Sequence, residues 1–424
     1  MMKTTRHDLP PGWHYDEDTG AIMRDVIHRM GRRCFKWDYC GRGAYMITMT
    51  LADRSKPLFG RLVGESAETA TIELSDLGRA VNEHLRQIGE FTPEMELLGA
   101  QLMPEHLHVV LRVKRRMAKP LGIALRGFKG GASQLFWRLS APEETRRLLA
   151  ERERRTEPPT RRLLAERTNT EQTAESNPER RPLFAKGYVD NILGDEQAIE
   201  SALRYLADNP RRLWEKRAHP DLFKVLREVK LALRSSSTGA PAVPTAGFFA
   251  AIGNLALLDE PNVFQVQCSR SFFEYRRAPD GSLLKDAPPA VETHEFIEKR
   301  DGFLEAAEHG AVLLSPCISH GEREIARLAF DKGLKVVTLA NKGFNPLYKP
   351  GGRLFDQCAG GNLLMLAPAA WPYVPGEKKM TRVDACVLNR IAQWLSGAGA
   401  VEIKYRGVEP RQVDRLTREA LKAK

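Results

Sequence analysis

The stretch "QLMPEHLHVVLRV", Gln101 to Val113, places two histidines inside an otherwise apolar run. Side chains along a β-strand alternate between its two faces, so His106, His108 and Arg112 share one face. The leucines and valines between them share the other face, as expected where one side of a sheet packs against a core. The pattern predicts a strand whose second face carries imidazoles, which either bind one divalent cation or are ordinary polar residues on the wet face of an edge strand.

The composition is that of a large, basic, globular protein. The chain has 424 residues, 42% of them apolar, which is enough for two or three domains, and its formal net charge of +11 favours a polyanionic partner. It shows neither the roughly 18 to 20 apolar residues of a membrane span nor the apolar core of a signal peptide, so we expect a cytoplasmic protein. Six scattered cysteines without a C-x-x-C pair fit reduced thiols, and a zinc site at Cys34 and Cys40 is the alternative.

Positive charge is concentrated directly after the two histidines. Between His106 and Pro142 there are eight basic residues and no acidic one, with Phe128, Phe136 and Trp137 among them. Such a window predicts a surface that binds nucleic-acid phosphates and stacks bases on aromatic rings, whereas a solvated helix face is the alternative. The residues predicted to contact DNA are Arg112, Lys114, Arg115, Arg116, Lys119, Arg126 and Lys129.

Two polar segments divide the chain. Residues 141–181 are rich in Arg, Glu, Thr and Pro and contain the octamer "TRRLLAER" twice, which indicates a solvated insert. The stretch "SSSTGAPAVP", Ser235 to Pro244, is typical of a flexible linker. We therefore expect a first domain at 1–234, which contains the insert, a linker at 235–246 and a second domain at 247–424.

The two halves differ in their patterns of strands and helices. Before the linker the runs predict an α+β domain, including a helix that begins at Ser75. After the linker, apolar strand-like runs such as "AVLLSPCIS", "LKVVTLAN", "NLLMLAP" and finally "AVEIKY" alternate with helical ones. That alternation predicts an α/β domain with a parallel sheet covered by helices.

An amphipathic helix is predicted from Asp195, a candidate N-cap, to Pro210, which should help to end it. Tyr205 and Asn209 are four residues apart, so they lie one above the other at the edge of its apolar stripe. There a phenol and an amide oxygen could both face the strand with the histidines. The alternative is that Tyr205 is a half-buried core aromatic and Asn209 a C-terminal cap.

The segments "MPEHLHVVL", "GFKGGAS", "GYVDNIL" and "YLADNPRRL", in that order, resemble the HUH single-strand transposases of the IS200-like type, particularly the REP-associated tyrosine transposases. The resemblance implies a ferredoxin-like antiparallel sheet with helices on one face and a substrate of single-stranded or hairpin DNA. It also implies that His106, His108 and Asn209 bind Mg²⁺ or Mn²⁺ and that Tyr205 is the nucleophile. Tyr188 is the second candidate nucleophile.

The residue types agree with this chemistry. A tyrosine hydroxyl, with a reference pKa of about 10, needs a cation that draws charge off the scissile phosphate. Attack by Tyr205 then gives a 5′-phosphotyrosine and a free 3′-hydroxyl, so the chain is expected to be a DNA endonuclease and strand transferase. A second copy of the chain, in a homodimer, is a candidate partner. A non-catalytic single-strand-binding protein is the alternative, and a metal-dependent barrel hydrolase ranks third.

The second domain, from Phe248 to about Leu395, contains the segments "SPCISHGEREIARLAF", "LKVVTLANKGFNPLYKP" and "TRVDACVLNRIAQWL". With these segments it resembles the Rossmann-like domain of the DNA-processing Smf family. Ser315, Ser319 and Gly321 lie between a strand and a helix, where backbone amides could hold a phosphate. No intact P-loop or G-x-G-x-x-G motif is present. We therefore expect a domain that binds nucleic acid or a nucleotide-like ligand, with an ordinary strand-to-helix turn as the alternative.

Overall fold

The computed structural model describes residues 13–15, 22–24, 37–140, 181–234, 244–268, 272–274, 291–376, 378–397 and 408–423. They form two compact units that divide between Trp214 and Glu215. The repeat-containing insert, nearly all of the predicted linker and the predicted strand "AVEIKY" lie outside the described residues.

The first unit contains eight described strands and four described helices. In chain order these are β1 (Trp13–Tyr15), β2 (Ile22–Arg24), β3 (Gly43–Thr50), β4 (Gly60–Val63), β5 (Thr71–Leu74), α1 (Asp76–Arg86), α2 (Ile88–Phe91), β6 (Met95–Met103), β7 (His106–Val113), α3 (Leu121–Ser140), β8 (Val189–Leu193) and α4 (Glu196–Ala218), whose last residues belong to the second unit.

A four-stranded sheet organises the first unit. Its strand order is β6-β7-β3-β8, and each neighbouring pair is antiparallel. With α1 between β3 and β6, and α3 between β7 and β8, the connections are the β-α-β-β-α-β series of a ferredoxin-like fold. The histidine strand β7 is central, so its backbone amides and carbonyls pair on both sides.

Helices cover both faces of this sheet, so the expectation of helices on one face is wrong. The main core lies between one face and helices α1 and α3, and it contains Leu107, Val109 and Leu111 of β7. Helix α4 packs on the other face through an apolar cluster that includes Val110 and Leu206. The histidine face carries polar side chains at both ends, His106 and His108 at one and Arg112 at the other, and Val110 between them is buried beneath α4.

Capping residues begin these helices where the sequence predicts. The Ser75 hydroxyl accepts from the Gly78 amide at 3.0 Å, and Asp195 Oδ1 accepts from the Ala198 amide at 2.7 Å. The predicted end of α4 at Pro210 is wrong, because the helix continues through the proline to Ala218. Proline lacks one helical hydrogen bond, and packing of the helix on the sheet offsets that loss.

The second unit alternates strands and helices. Its described elements are β9 (Leu226–Ala232), β10 (Ala246–Gly253), β11 (Val263–Gln265), β12 (Phe273–Glu274), β13 (Val291–Glu292), α5 (His294–Glu308), β14 (Val312–Ser315), α6 (His320–Asp331), β15 (Val336–Leu339), α7 (Arg353–Ala359), β16 (Leu363–Pro368), α8 (Arg382–Ser396) and α9 (Pro410–Ala420). Six of these strands form one sheet with the order β11-β14-β15-β16-β10-β9. The first four strands in this order are parallel, as predicted, whereas β10 and β9 are antiparallel additions.

The predicted linker does not separate the two units. Strand β9 precedes it and pairs with β10, which follows it, so the Ser/Gly/Pro-rich segment connects two neighbouring strands of the second sheet. Leu226, Val229 and Leu231 of β9 pack against the core of the second unit. The predicted boundary at 234 is therefore wrong, because the composition of a strand connection resembles that of a domain linker.

Two further properties concern only the described residues. None of the helices among them is both long enough and apolar enough to cross a membrane. The five cysteines among them, Cys40, Cys268, Cys317, Cys358 and Cys386, all have free thiols.

The position of β9 leads to a prediction about fragments. In a fragment of residues 1–234, β9 lacks its partner β10, so trypsin should cleave at Lys224, Arg227 and Lys230 faster than in the full chain. Limited proteolysis followed by mass spectrometry measures these sites. A fragment that ends at Ala218 is the matched control and should keep the melting temperature of the first unit. Equal protection of the three sites in the 1–234 fragment would show that β9 folds with the first unit.

Candidate active site

The two histidines of β7 converge on one point. His106 Nε2 and His108 Nε2 are 3.1 Å apart, and the ring centroids are 4.7 Å apart at an interplanar angle of 84°. His108 is buried, with 7% of its surface exposed, whereas the His106 side chain is 19% exposed. The pair therefore forms the floor of a site that solvent reaches from the side of His106.

The other nitrogen of each ring has its own oxygen partner. His108 Nδ1 lies 2.8 Å from the Thr48 hydroxyl, and His106 Nδ1 lies 3.1 Å from a carboxylate oxygen of Glu105. The hydrogen bond with His106 holds the pKa of Glu105 below its usual value despite partial burial. Oxygen partners of this kind fix the orientation and tautomer of metal-binding histidines. Sequence reasoning missed both roles.

The spacing of the two nitrogens fits a divalent cation. Two ligands about 2.1 Å from an octahedral ion, at right angles, are about 3.0 Å apart, close to the observed separation. Among the described residues, no group of three or more His, Cys, Asp or Glu side chains could hold an ion. Amide, water or substrate oxygens could complete the ligand set of an ion bound by His106 and His108.

Asn209 is buried, but its observed hydrogen bond is made within its own helix. Its Nδ2 donates to the backbone carbonyl of Tyr205 at 2.8 Å. Because α4 continues to Ala218, Asn209 lies inside the helix, and the alternative that it is a C-terminal cap is wrong. The bond leaves Oδ1 as the atom that could face a ligand.

Tyr205 lies where the sequence predicts, beside the histidines. Its ring centroid is 5.6 Å from that of His108, at an interplanar angle of 75°, and 37% of the residue is exposed. The guanidinium carbon of Arg212 lies 5.5 Å from the centre of the Tyr205 ring. Burial favours a raised pKa for Asp208, but hydrogen bonds from Arg211 and Arg212 outweigh it and keep that pKa below its usual value.

A glycine in β6 allows α4 to approach the sheet. The pairing of β6 with β7 shifts register between Leu97 and Gly99, and a Cβ at Gly99 would lie 2.6 Å from a methyl group of Leu203. Leu203 is two residues before Tyr205. The missing side chain at Gly99 therefore leaves room for the Leu203 side chain of α4 against the sheet.

Tyr188, the second candidate nucleophile, faces away from the histidines. It packs against the main core together with Ile192, and that core also contains Leu107 and Val109. These two residues of β7 are on the face opposite His106 and His108. The sheet thus separates Tyr188 from the histidine pair.

The predicted DNA-contacting residues are in three kinds of environment. Lys114, Lys119 and Arg126 are exposed. Lys129 is a structural residue, because its Nζ donates to the carbonyls of Ala185 and Gly187 at 2.6 and 3.0 Å. Three arginines form ion pairs: Arg112 with Glu196 at 2.7 Å, Arg115 with Glu94 at 3.9 Å and Arg116 with Asp38 at 2.6 Å.

The aromatic residues between His106 and Pro142 make contacts within the first unit. Phe128 is buried in the main core and stacks on His84, with the two ring centroids 5.3 Å apart. Its predicted role in base stacking is therefore wrong. Phe136 packs against the same core. The indole N–H of Trp137 donates to the carbonyl of Arg181 at 2.8 Å.

The predicted phosphate site of the second unit contains a carboxylate. Ser319 caps helix α6, and Ser315 Oγ accepts from the backbone amide of Cys317 at 3.0 Å. Glu322 is buried and accepts from the Ile318 amide at 2.7 Å, while burial raises its pKa. A Cβ at Gly321 would clash with buried aromatic rings. This turn is therefore poorly suited to a phosphate, since Glu322 already binds one of its amides.

Comparisons with known proteins give limited similarity. No protein family model matches the chain. An uncharacterized protein of Haemophilus influenzae (strain ATCC 51907 / DSM 11121 / KW20 / Rd) is 25% identical over 195 residues, which are 45% of this chain and 92% of that protein. The solved structure of a REP-associated tyrosine transposase bound to a REP hairpin is 11% identical, with a TM-score of 0.25 over 42% of this chain and 72% of that chain.

The close approach at Gly99 leads to a prediction about how α4 is held. Gly99→Val should lower the free energy of unfolding by about 1–3 kcal/mol, because the new methyl groups overlap Leu203. Urea unfolding followed by circular dichroism measures the change. Leu203→Ala in the same chain should recover part of the loss. Gly194→Val is the control and should cost less than about 0.5 kcal/mol, since a Cβ at Gly194 meets nothing within 4 Å. Equal losses of unfolding free energy in Gly99→Val and Gly194→Val would show that the close approach of Leu203 does not cause the effect.

Proposed function

We propose that the first unit is a metal-dependent single-stranded DNA endonuclease and strand transferase that acts through a 5′-phosphotyrosine. The observation that carries this proposal is the contact of the Tyr205 ring with His108, which belongs to a pair of imidazoles with converging nitrogens. A tyrosine hydroxyl beside a bis-histidine site is suitably placed to act as the nucleophile of a metal-assisted phosphoryl transfer.

His106 and His108 are the proposed ligands of a Mg²⁺ or Mn²⁺ ion, with Asn209 Oδ1 as the proposed third. When bound, the ion supplies positive charge next to the scissile phosphate. Neutral imidazoles and an amide leave that charge undiminished, whereas carboxylate ligands would reduce it. The Thr48 hydroxyl and the Glu105 carboxylate keep both rings in the binding orientation.

Tyr205 is the proposed nucleophile. Its oxygen forms a bond to phosphorus while the bond from phosphorus to the 3′ oxygen breaks, so the 3′ oxygen leaves and takes up a proton. The phenolic proton is released to solvent. The new ester conserves the energy of the broken one, so the free 3′-hydroxyl can later reverse the step without a nucleotide cofactor.

DNA is the proposed substrate because exposed positive charge follows the histidine strand. Lys114, Arg115 and Arg116 come directly after β7, and Lys119 precedes α3. In their ion pairs, the side chains of Arg115 and Arg116 are 70% and 71% exposed, so solvent screens the arginines and a phosphate can compete for them.

For the second unit we propose a Rossmann-like classification. Four parallel strands are covered by α8 and α9 on one face and by α5 and α6 on the other, which supports a doubly wound arrangement. A nucleic-acid or nucleotide-like ligand for it remains a proposal. The Glu322 carboxylate argues against phosphate binding at Ser315, Ser319 and Gly321.

The nucleophile can be tested through the covalent adduct. Wild-type protein with Mn²⁺ and a 3′-end-labelled hairpin that carries a single-stranded tail should give a labelled protein band on a denaturing gel. Tyr205→Phe should abolish the band at unchanged DNA affinity, since only the attacking oxygen is lost, and EDTA should abolish it in the wild type. Tyr188→Phe is the matched control and should retain the band. An adduct formed by Tyr205→Phe would refute the assignment, and DNA binding without any adduct would favour a non-catalytic binding protein.

The basic segment can be tested through the salt dependence of binding. Replacing Lys114, Arg115 and Arg116 together by Gln should flatten the slope of log K against log salt by about two units, at about 0.7 for each lost contact to single-stranded DNA. Fluorescence anisotropy with a labelled oligonucleotide measures the slope. A variant with Arg61, Arg79 and Arg86 replaced by Gln has the same net charge and should keep the wild-type slope. Identical slopes in the two triple variants would show that the segment is only a solvated face.

A further inference from the structure

Tyr205 shares one stripe of α4 with two charged residues. At 3.6 residues per turn, Asp208 and Arg212 follow Tyr205 at i+3 and i+7 and lie on the same side of the helix. Arg211, at i+6, points about a third of a turn away. The stripe therefore places the Arg212 cation on the same side of α4 as Tyr205. The neighbouring Arg211 points in a different direction.

The guanidinium of Arg212 is held firmly in this position. Its Nε donates to Asp208 Oδ2 at 2.5 Å, and its side chain is only 12% exposed. Asp208 also accepts from Arg211, whose side chain is 31% exposed. An arginine that is this buried and bound to a carboxylate has lost most of its conformational freedom, so its place over the Tyr205 ring is well defined.

The Tyr205 ring consequently has two neighbours that fix its orientation. The edge-to-face contact with His108 is at one side, and the Arg212 cation lies 5.5 Å from the ring centre. A guanidinium is attracted to the face of an aromatic ring, and the attraction grows as water is excluded. A 37% exposed tyrosine would otherwise be free to rotate away from the histidines.

We propose that Arg212, held by Asp208, is a positioning residue that orients the Tyr205 ring toward the histidine pair for attack on the phosphate. The rate effect rests on the proposed function, whereas the contact of Arg212 with the ring does not. Arg212 acts through Tyr205, so its loss should slow the covalent step and leave DNA affinity nearly unchanged. An error of about 1 Å in the position of a reacting group costs about 100-fold in rate.

The kinetic test compares variants in single-turnover cleavage at saturating DNA. Arg212→Met should slow adduct formation by about 100-fold while changing the dissociation constant for DNA less than about 3-fold. Arg212→Lys should recover about a tenth of the wild-type rate, because it keeps the charge without the planar guanidinium. Arg211→Met is the matched control and should stay within about 3-fold of the wild-type rate. If Arg212→Met lowers the melting temperature, Arg212→Gln replaces it.

A spectroscopic measurement tests the ring contact without any reaction. In protein made with 3-fluorotyrosine, the ¹⁹F resonance missing from Tyr205→Phe belongs to Tyr205. Arg212→Met should shift and sharpen that resonance, since the ring gains freedom, and Arg211→Met should leave it in place.

The outcomes distinguish a failure of the positioning role of Arg212 from a failure of the proposed function. A wild-type rate in Arg212→Met, or an equal loss in Arg211→Met, overturns the positioning role. A resonance that Arg212→Met leaves unchanged overturns the ring contact. If the wild-type protein forms no adduct at all, the proposed function fails and with it the rate effect, while the resonance still decides whether Arg212 orients the ring.

Discussion

The alternation of side chains along β7 is the constraint on which the rest of the first unit depends. Leu107, Val109 and Leu111 on one face are buried under α1 and α3, which requires His106 and His108 to lie on the other. A shift of one residue would turn both imidazoles into the apolar core beneath α1 and α3 and would remove the leucines and valines from that core. The burial that stabilises the sheet therefore also fixes which face can hold the site.

The opposite face is divided into an apolar part and a polar part, and α4 lies on both. Ala44 and Val110 give the helix an apolar surface, against which Ile199, Ala202 and Leu206 pack. This contact sets the rotation of the helix about its axis. Tyr205 precedes a buried residue of that stripe, so the same packing places its ring beside His108. Stability and chemistry thus share one interface.

Local patterns in the sequence predicted the parts of the structure that depend on neighbouring residues. The alternation in β7, the caps Ser75 and Asp195 and the parallel strands of the second unit are of this kind. Contacts between distant segments were not predictable, because they need the register of the sheet. Thr48 reaches His108 only because β3 pairs with β7, and the face on which Tyr188 lies follows from the same pairing. The Ser/Gly/Pro-rich segment after Arg234 was misleading because its composition suits a strand connection and a linker equally.

The Asn209-Pro210 pair has a structural explanation that competes with its proposed chemical role. Pro210 has no N–H for the carbonyl of Leu206, so the helix is weakened one residue after the tyrosine. Asn209 Nδ2 donates to the carbonyl of Tyr205, and this hydrogen bond stabilises the helical turn that carries the proposed nucleophile. The bond uses the amide nitrogen and leaves the oxygen for a ligand, so the two roles are compatible in one residue. Asn209→Asp separates them, because a carboxylate keeps an oxygen ligand for a cation but cannot donate to Tyr205.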